Sequence, residues 1–298
     1  MIASRLKIGT RLNSWGQNKP SESNKNTGDD MIRAVTFDVW GTLLGFTPEI
    51  SEYWRTARKK NVLKVLRKLG YDYDMSEISK AYDMLDRKIR DDEGLLQTGR
   101  ANSPRQRFGS SKEMTVSDQV GYFLKLLDVK KIQDSQFTAL VKLYSDNPYK
   151  KLPSLAKNAH ECISYLKSEG VKLGIVSNAV RSPGRVLKVI LAKHGILKYF
   201  DATSFSDEVN VRKPYPKIFL HALSQLGVKA SDAVHVGDRL RDDVYGAKKV
   251  GMYAVLCRSI TPYLPDEEIF KPDATIDELA QLPVALKSIE ELSDRIKS

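Results

Sequence analysis

The sequence predicts an α/β fold: a Rossmann-like parallel sheet with a block of helices inserted after its first strand. Apolar runs begin near residues 32, 171, 201, 233 and 252 and alternate with helical periodicity, as in sheets whose strands are joined by crossover helices. Between residues 48 and 150 helical spacing stands alone, and the strand-helix series resumes only after Pro153. Polar and acidic residues then close several of the apolar runs, where open α/β sheets place their ligands.

The first element is Ile32 to Phe37, apolar or β-branched with little alternation, which suits a strand covered on both faces. It delivers Asp38 to a strand end, followed by a Gly-containing turn in VTFDVWGTLL; an Asp there equally suits a turn or a helix cap. The strand pattern stops after Leu44. Tyr53, Trp54, Ala57, Val62, Val65, Leu66 and Leu69 then recur at helical spacing up to Gly70, and further helices span 75–90, 116–127 and 133–144. A Gly-, Ser- and Arg-rich loop separates the second helix from the third; its Arg100, Arg105 and Arg107 face either solvent or an anionic substrate. The core is thus expected over 31–47 and 151–298, with 48–150 inserted and 1–30 as a separate tail.

After the insertion, NAHECISYLKSEG reads as a helix and VKLGIVSN as a strand ending at Ser177 and Asn178. A hydroxyl and an amide there either donate to an anionic oxygen or cap the next helix. Residues 201–205 make a short strand, and Lys213 before Pro214 is held extended on the way into a helix. SDAVHVGD gives a strand ending at Gly237 and Asp238, with Asp243 five residues on in the helix DDVYGAKKVG. Acids gathered at neighbouring strand ends repel one another unless a cation joins them, and oxygen-only ligands suit magnesium; Asp242 and Asp243 also suit a helix N-terminus. His235 reads as a packed strand residue. The strand MYAVLC, a short strand in DATID and a helix from Val284 to Ile296 finish the chain.

Composition excludes several classes. The chain has 298 residues, 41% hydrophobic and 29% charged, and no apolar run long enough for a membrane helix. Two cysteines, Cys162 and Cys257, are too few for a disulfide framework, which fits a reducing compartment. The net charge of +11 suits an anionic partner, but the basic residues are scattered across helices without a nucleic-acid-binding pattern, so an ordinary solvated surface is the reading and neither nucleic acid nor membrane is expected as a partner. Residues 1–30 begin basic and then turn polar, which reads either as a mitochondrial transit peptide, giving a matrix location, or as an untargeted tail on a cytoplasmic or nuclear protein.

Four stretches come in a telling order: FDVWGTLL, IVSN, VRKPYPKIF and VGDRLRDDVYGAKKVG. Together they resemble the haloacid dehalogenase (HAD) superfamily from about Met31 to Ile276, and in particular its eukaryotic HAD-like hydrolases. The resemblance implies a Rossmann-like core with a helical cap inserted over the active site. It implies Asp38 as nucleophile, Ser177 and Lys213 as catalytic partners, Trp40, Thr42 and Asn178 beside the substrate, and Asp38, Asp238 and Asp243 as ligands of Mg²⁺. One position departs from the superfamily's phosphatases, which carry Asp two residues after the nucleophile to protonate the leaving oxygen. Here that residue is Trp40, which cannot be a general acid. The expectation is a magnesium-dependent phosphatase of a small metabolite, weakened by about 10²- to 10⁴-fold toward alkyl esters. The alternatives are a metal-free carbon-halogen hydrolase, whose branch also carries an aromatic there, and a catalytically feeble binding protein.

Overall fold

The computed structural model describes residues 32–45, 47–94, 108–146, 151–260 and 270–297. The tail reading of residues 1–30 and the expectation for Arg100, Arg105 and Arg107 lie outside the described residues.

Six strands form one parallel sheet: β1 (Ala34–Phe37), β4 (Lys172–Ser177), β5 (Ala202–Phe205), β6 (Ala233–Gly237), β7 (Tyr253–Cys257) and β8 (Ala274–Ile276), in the order β5-β4-β1-β6-β7-β8. β1 lies at the centre, with Ala34 opposite both Lys172 of β4 and Ala233 of β6. Strand alternation sends side chains into two separate apolar layers. Val35, Phe37, Leu173, Ile175, Val234 and Val236 face one layer, which is closed by α5 (Ala159–Ser168), α6 (Gly184–Lys193) and α8 (Leu282–Lys297). Ala34, Val176, Ala202, Ala233 and Ala254 face the other, closed largely by Ile218, Phe219, Ala222 and Leu223 of α7 (Pro216–Leu226). Burial on both faces explains why the strands read as apolar runs rather than as alternation.

Between β1 and β4 the chain leaves the sheet. Leu44–Gly45 (β2) and Ser154–Leu155 (β3) pair antiparallel, so the two ends of the helical insertion lie side by side. The strand pattern therefore does not stop at Leu44, but a two-residue strand has no period to read. The insertion comprises α1 (Pro48–Lys68), α2 (Met75–Asp92), α3 (Val116–Leu126) and α4 (Asp134–Ser145). Thr47 and Pro48 start α1, Gly70 with φ +85° ends it, and Asp74–Glu77 and Thr115–Asp118 form capping boxes on α2 and α3. The four helices bury a core of their own, with Leu66, Ile78, Leu85, Phe123, Leu140 and Tyr144 nearly inaccessible.

Candidate active site

The site begins where β1 ends. Asp38 N–H donates to the Val236 carbonyl at 2.9 Å, extending the ladder by one residue and fixing Asp38 beside the end of β6. The chain then turns sharply, with Gly41 at φ +83° and the amides of Leu43 and Leu44 both returning to the Val39 carbonyl.

Lys213 crosses from the loop before α7. Its Nζ donates to Asp38 Oδ1 at 2.6 Å and to Asp243 Oδ1 at 2.5 Å, and all three residues are buried. Asn178 sets the height of this lysine, because its Oδ1 accepts the Lys213 N–H at 2.8 Å. Ser177 is wholly buried; its hydroxyl has no partner in hydrogen-bond geometry among the described residues, yet it lies near enough to Asp38 to favour the carboxylate form. Thr42 is also wholly buried with no partner for its hydroxyl, and it does not line the cavity described below.

Asp243 reaches the same place by way of a π-helical turn, Leu240–Tyr245, where an ordinary α-helix is the sequence expectation. Gly237 is the residue that lets it in: a Cβ there would stand 2.1 Å from Asp243 Cγ. Its Oδ1 also accepts from His235 Nε2 at 3.0 Å, and its Oδ2 from the Arg239 amide at 2.9 Å. Asp238, half-buried, completes a triangle with Asp38 and Asp243 in which one carboxylate oxygen of each lies within 4.8 Å of the others.

The electrostatics of this group are unbalanced. Burial pushes Asp38 above the usual carboxylate range; Lys213 pulls it down, and the nearby Asp243 charge pushes it up again. Burial acts on Asp243 in the same sense, but the Lys213 charge and the hydrogen bond from His235 outweigh it and hold this carboxyl low. Lys213 is raised: burial alone would lower it, and the two carboxylates more than compensate. The Lys213 ammonium thus bridges two of the three clustered acids, and the Arg239 charge acts on Asp238 and Asp243. An oxygen-only donor set with an orphaned hydroxyl alongside fits a hard divalent cation, which would offset the remaining repulsion.

A cavity of about 330 Å³ opens above these residues. The core contributes Asp38, Trp40, Asn178, Lys213 and Asp243 to its wall, and the insertion contributes Ser51, Trp54, Arg58 and Glu93. Trp40 meets Trp54 of α1 edge to face, with ring centroids 5.9 Å apart. The insertion also grips the loop after Ser177, since the Val180 N–H donates to Glu113 at 2.8 Å and its carbonyl accepts from Gln119 at 2.7 Å.

The structure therefore gathers Asp38, Trp40, Ser177, Asn178, Lys213, Asp238 and Asp243 around one point and leaves Thr42 behind the wall. Arg212, one residue before Lys213 and paired with Glu93, also lines the cavity. Sequence reasoning passed over Arg58, Arg181 and Arg239 on the wall, and the contact of His235 with Asp243. Two signals were available. Arg58 interrupts the buried stripe Trp54, Arg58, Val62 of α1, and His235 shares its strand face with Gly237, the face that Asp243 covers.

Known proteins resemble this chain in sequence and in fold. A family model described as haloacid dehalogenase-like hydrolase matches residues 32–251. The glyceraldehyde 3-phosphate phosphatase of Methanopyrus kandleri is 30% identical over 271 residues, 85% of this chain and 99% of that one. Haloacid dehalogenase-like hydrolase domain-containing protein 3 of Mus musculus is 28% identical over 209 residues, 68% of this chain and 80% of its own. The crystal structure of a HAD phosphatase from Thermococcus onnurineus superposes with a TM-score of 0.54 at 29% identity, covering 85% of this chain and 97% of that one.

Proposed function

The chain belongs to the haloacid dehalogenase-like hydrolase family, and on that premise we propose that it is a magnesium-dependent phosphatase of a small phosphorylated metabolite. The observation that carries this is the buried run Asp38–Lys213–Asp243 beside Asp238, at the floor of a cavity of metabolite size. Asp38 is the nucleophile: a carboxylate oxygen bonds to phosphorus as the ester oxygen leaves, and water then attacks the phosphorus of the acylphosphate to restore the carboxylate. Lys213 offsets the charge on the transferring group, while the Ser177 hydroxyl supplies a donor that has no other partner. Asn178 keeps Lys213 in place through its backbone. Asp38, Asp238 and Asp243 would hold Mg²⁺, which when bound supplies the positive charge that lets a phosphoryl dianion approach a carboxylate.

Trp40 occupies the position from which an acid would protonate the leaving oxygen, so that oxygen takes its proton from water. Esters with good leaving groups are therefore the better substrates. The test is a screen of phosphate esters with and without magnesium beside Asp38→Asn, a variant that keeps the shape of the residue and removes its nucleophilic oxygen. Hydrolysis that needs magnesium and disappears in Asp38→Asn is the expected result. Wild-type rates in Asp38→Asn sink the assignment. The aromatic Trp40 on the cavity wall also suits carbon-halogen cleavage, and 2-haloacid turnover that persists in EDTA selects that reading instead.

A further inference from the structure

Five cations line the cavity, Arg58, Arg181, Arg212, Lys213 and Arg239, against four acids, Asp38, Glu93, Asp242 and Asp243. Four of the five have carboxylate partners: Lys213 has Asp38 and Asp243, Arg212 has Glu93 at 3.3 Å, Arg239 has Asp242 at 3.6 Å, and Arg181 has Asp86 at 2.5 Å. Arg58 has none within ion-pair distance among the described residues. Its Nε donates to the Tyr144 carbonyl at 3.3 Å, and its guanidinium stands 5.6 Å from the centre of the Tyr144 ring.

That is an unusual place for an uncompensated charge. Arg58 is 5% exposed, and a guanidinium taken out of water is ordinarily matched by an anion. With Nε committed to a carbonyl, the two Nη groups are left as the planar fork that meets a carboxylate with two parallel hydrogen bonds. Its position relative to the nucleophile is also set by the fold. Trp40, two residues after Asp38, packs on Trp54, and Arg58 follows Trp54 by four residues on the same helix face, a rise of about 6 Å.

We propose that the substrate is a phosphate monoester whose far end carries a carboxylate, and that Arg58 receives this carboxylate while the phosphoryl group lies at Asp38. The inference rests on the phosphatase reading above and narrows it. A carboxylate fits better than a second phosphate: among the described wall residues Arg58 is the cation without a carboxylate partner, so a monoanionic end matches its single charge and a dianionic end exceeds it. The cavity volume of about 330 Å³ keeps the molecule small. The paired arginines shape the wall, and the unpaired one selects.

The test compares kcat/KM for 2-phosphoglycolate, ethyl phosphate and ethylene glycol bisphosphate in the wild type and in Arg58→Met, whose apolar side chain still covers the Tyr144 ring. Differences in leaving group cancel in this comparison, because each ester is measured in both proteins. The preference for 2-phosphoglycolate over ethyl phosphate should fall by roughly 10- to 100-fold, the worth of hydrogen bonds to a charged group. Arg58→Lys, which keeps the charge and loses the fork, should recover part of the preference, and it decides the matter if Arg58→Met does not fold. An unchanged preference overturns the inference. So does a bisphosphate that loses more than the acid, since this moves Arg58 to a second phosphate. A binding arm separates this failure from failure of the phosphatase reading: calorimetric Kd values for 2-phosphoglycolate in Asp38→Asn and in Asp38→Asn with Arg58→Met do not depend on turnover. If no ester is hydrolysed but the second variant binds 10- to 100-fold more weakly, the phosphatase reading falls and the Arg58 subsite stands. Equal Kd values remove the subsite.

Discussion

Asp243 is the most heavily contacted side chain of the site, and His235 is the contact with a distinct pH signature. His235 Nδ1 lies 2.8 Å from Thr36 Oγ1 and Nε2 lies 3.0 Å from Asp243, so a ring that donates to the carboxylate from Nε2 accepts the threonine hydroxyl at Nδ1. Burial depresses its pKa below the ordinary 6.5, against the pull of Asp243. The sign follows: the unfolded chain takes up a proton at a pH where the folded ring does not, so this histidine supports folding above about pH 6.5 and ceases to as pH falls. The wild-type melting temperature should therefore drop more between pH 7.5 and 5.5 than that of His235→Gln, measured by calorimetry at both values. Equal drops would show that the ring does not control this window. Asp38, pushed the opposite way, favours folding as pH falls, but it is common to both proteins and cancels in the comparison. Asp242 and Asp243, both held low, weaken the fold only at more acid pH. Asp38, Lys213 and Asp243 were legible as neighbours because each ends or follows a strand. His235 was legible as buried, but its partner arrives through a π-turn that no periodicity announces.

At the scale of elements, α1 couples the insertion to the nucleophile. Helical spacing showed α1 and its stop at Gly70, while nothing local showed which core residue it would meet; that meeting is Trp40 with Trp54. The indole at position 40 therefore has two jobs to be separated, excluding an acid and docking a helix. Trp40→Asp should raise the rate on alkyl phosphates by about 10²-fold while changing an activated aryl phosphate little, because the aryl leaving group needs no proton. The same change should cost on the order of 3 kcal/mol of stability through the lost aromatic contact, read as a lower melting temperature. A folded variant with both rates flat would show that position 40 is not beside the leaving oxygen. The arginine-rich loop drew attention in the sequence because loops carry function, whereas the unpaired cation of the described wall sits on a regular helix. Polarity alone does not separate a solvated arginine from a buried one; the stripe it interrupts does.

For the whole molecule, the layered core was legible in outline, because apolar runs and intervening helices admit few arrangements. The order of strands within the sheet was not, since neighbours in the sheet are distant in the chain. β1 comes first in sequence and lies in the middle, with Ala34 against Lys172 on one side and Ala233 on the other. This gives the molecule a history as well as a shape. During synthesis the strand bearing Asp38 waits while the whole insertion is made, gains one neighbour with β4, and gains the second only when β6 has emerged. The insertion helices, whose core is their own and which are all made before β4, are free to form meanwhile. A fragment ending at residue 228 should accordingly melt without the cooperative transition of the full chain; a sharp transition in this fragment would contradict this. A ribosome that stalls between β4 and β6 would hold a nascent chain with one edge of its first strand bare, the kind of surface that chaperones and other nascent chains find first.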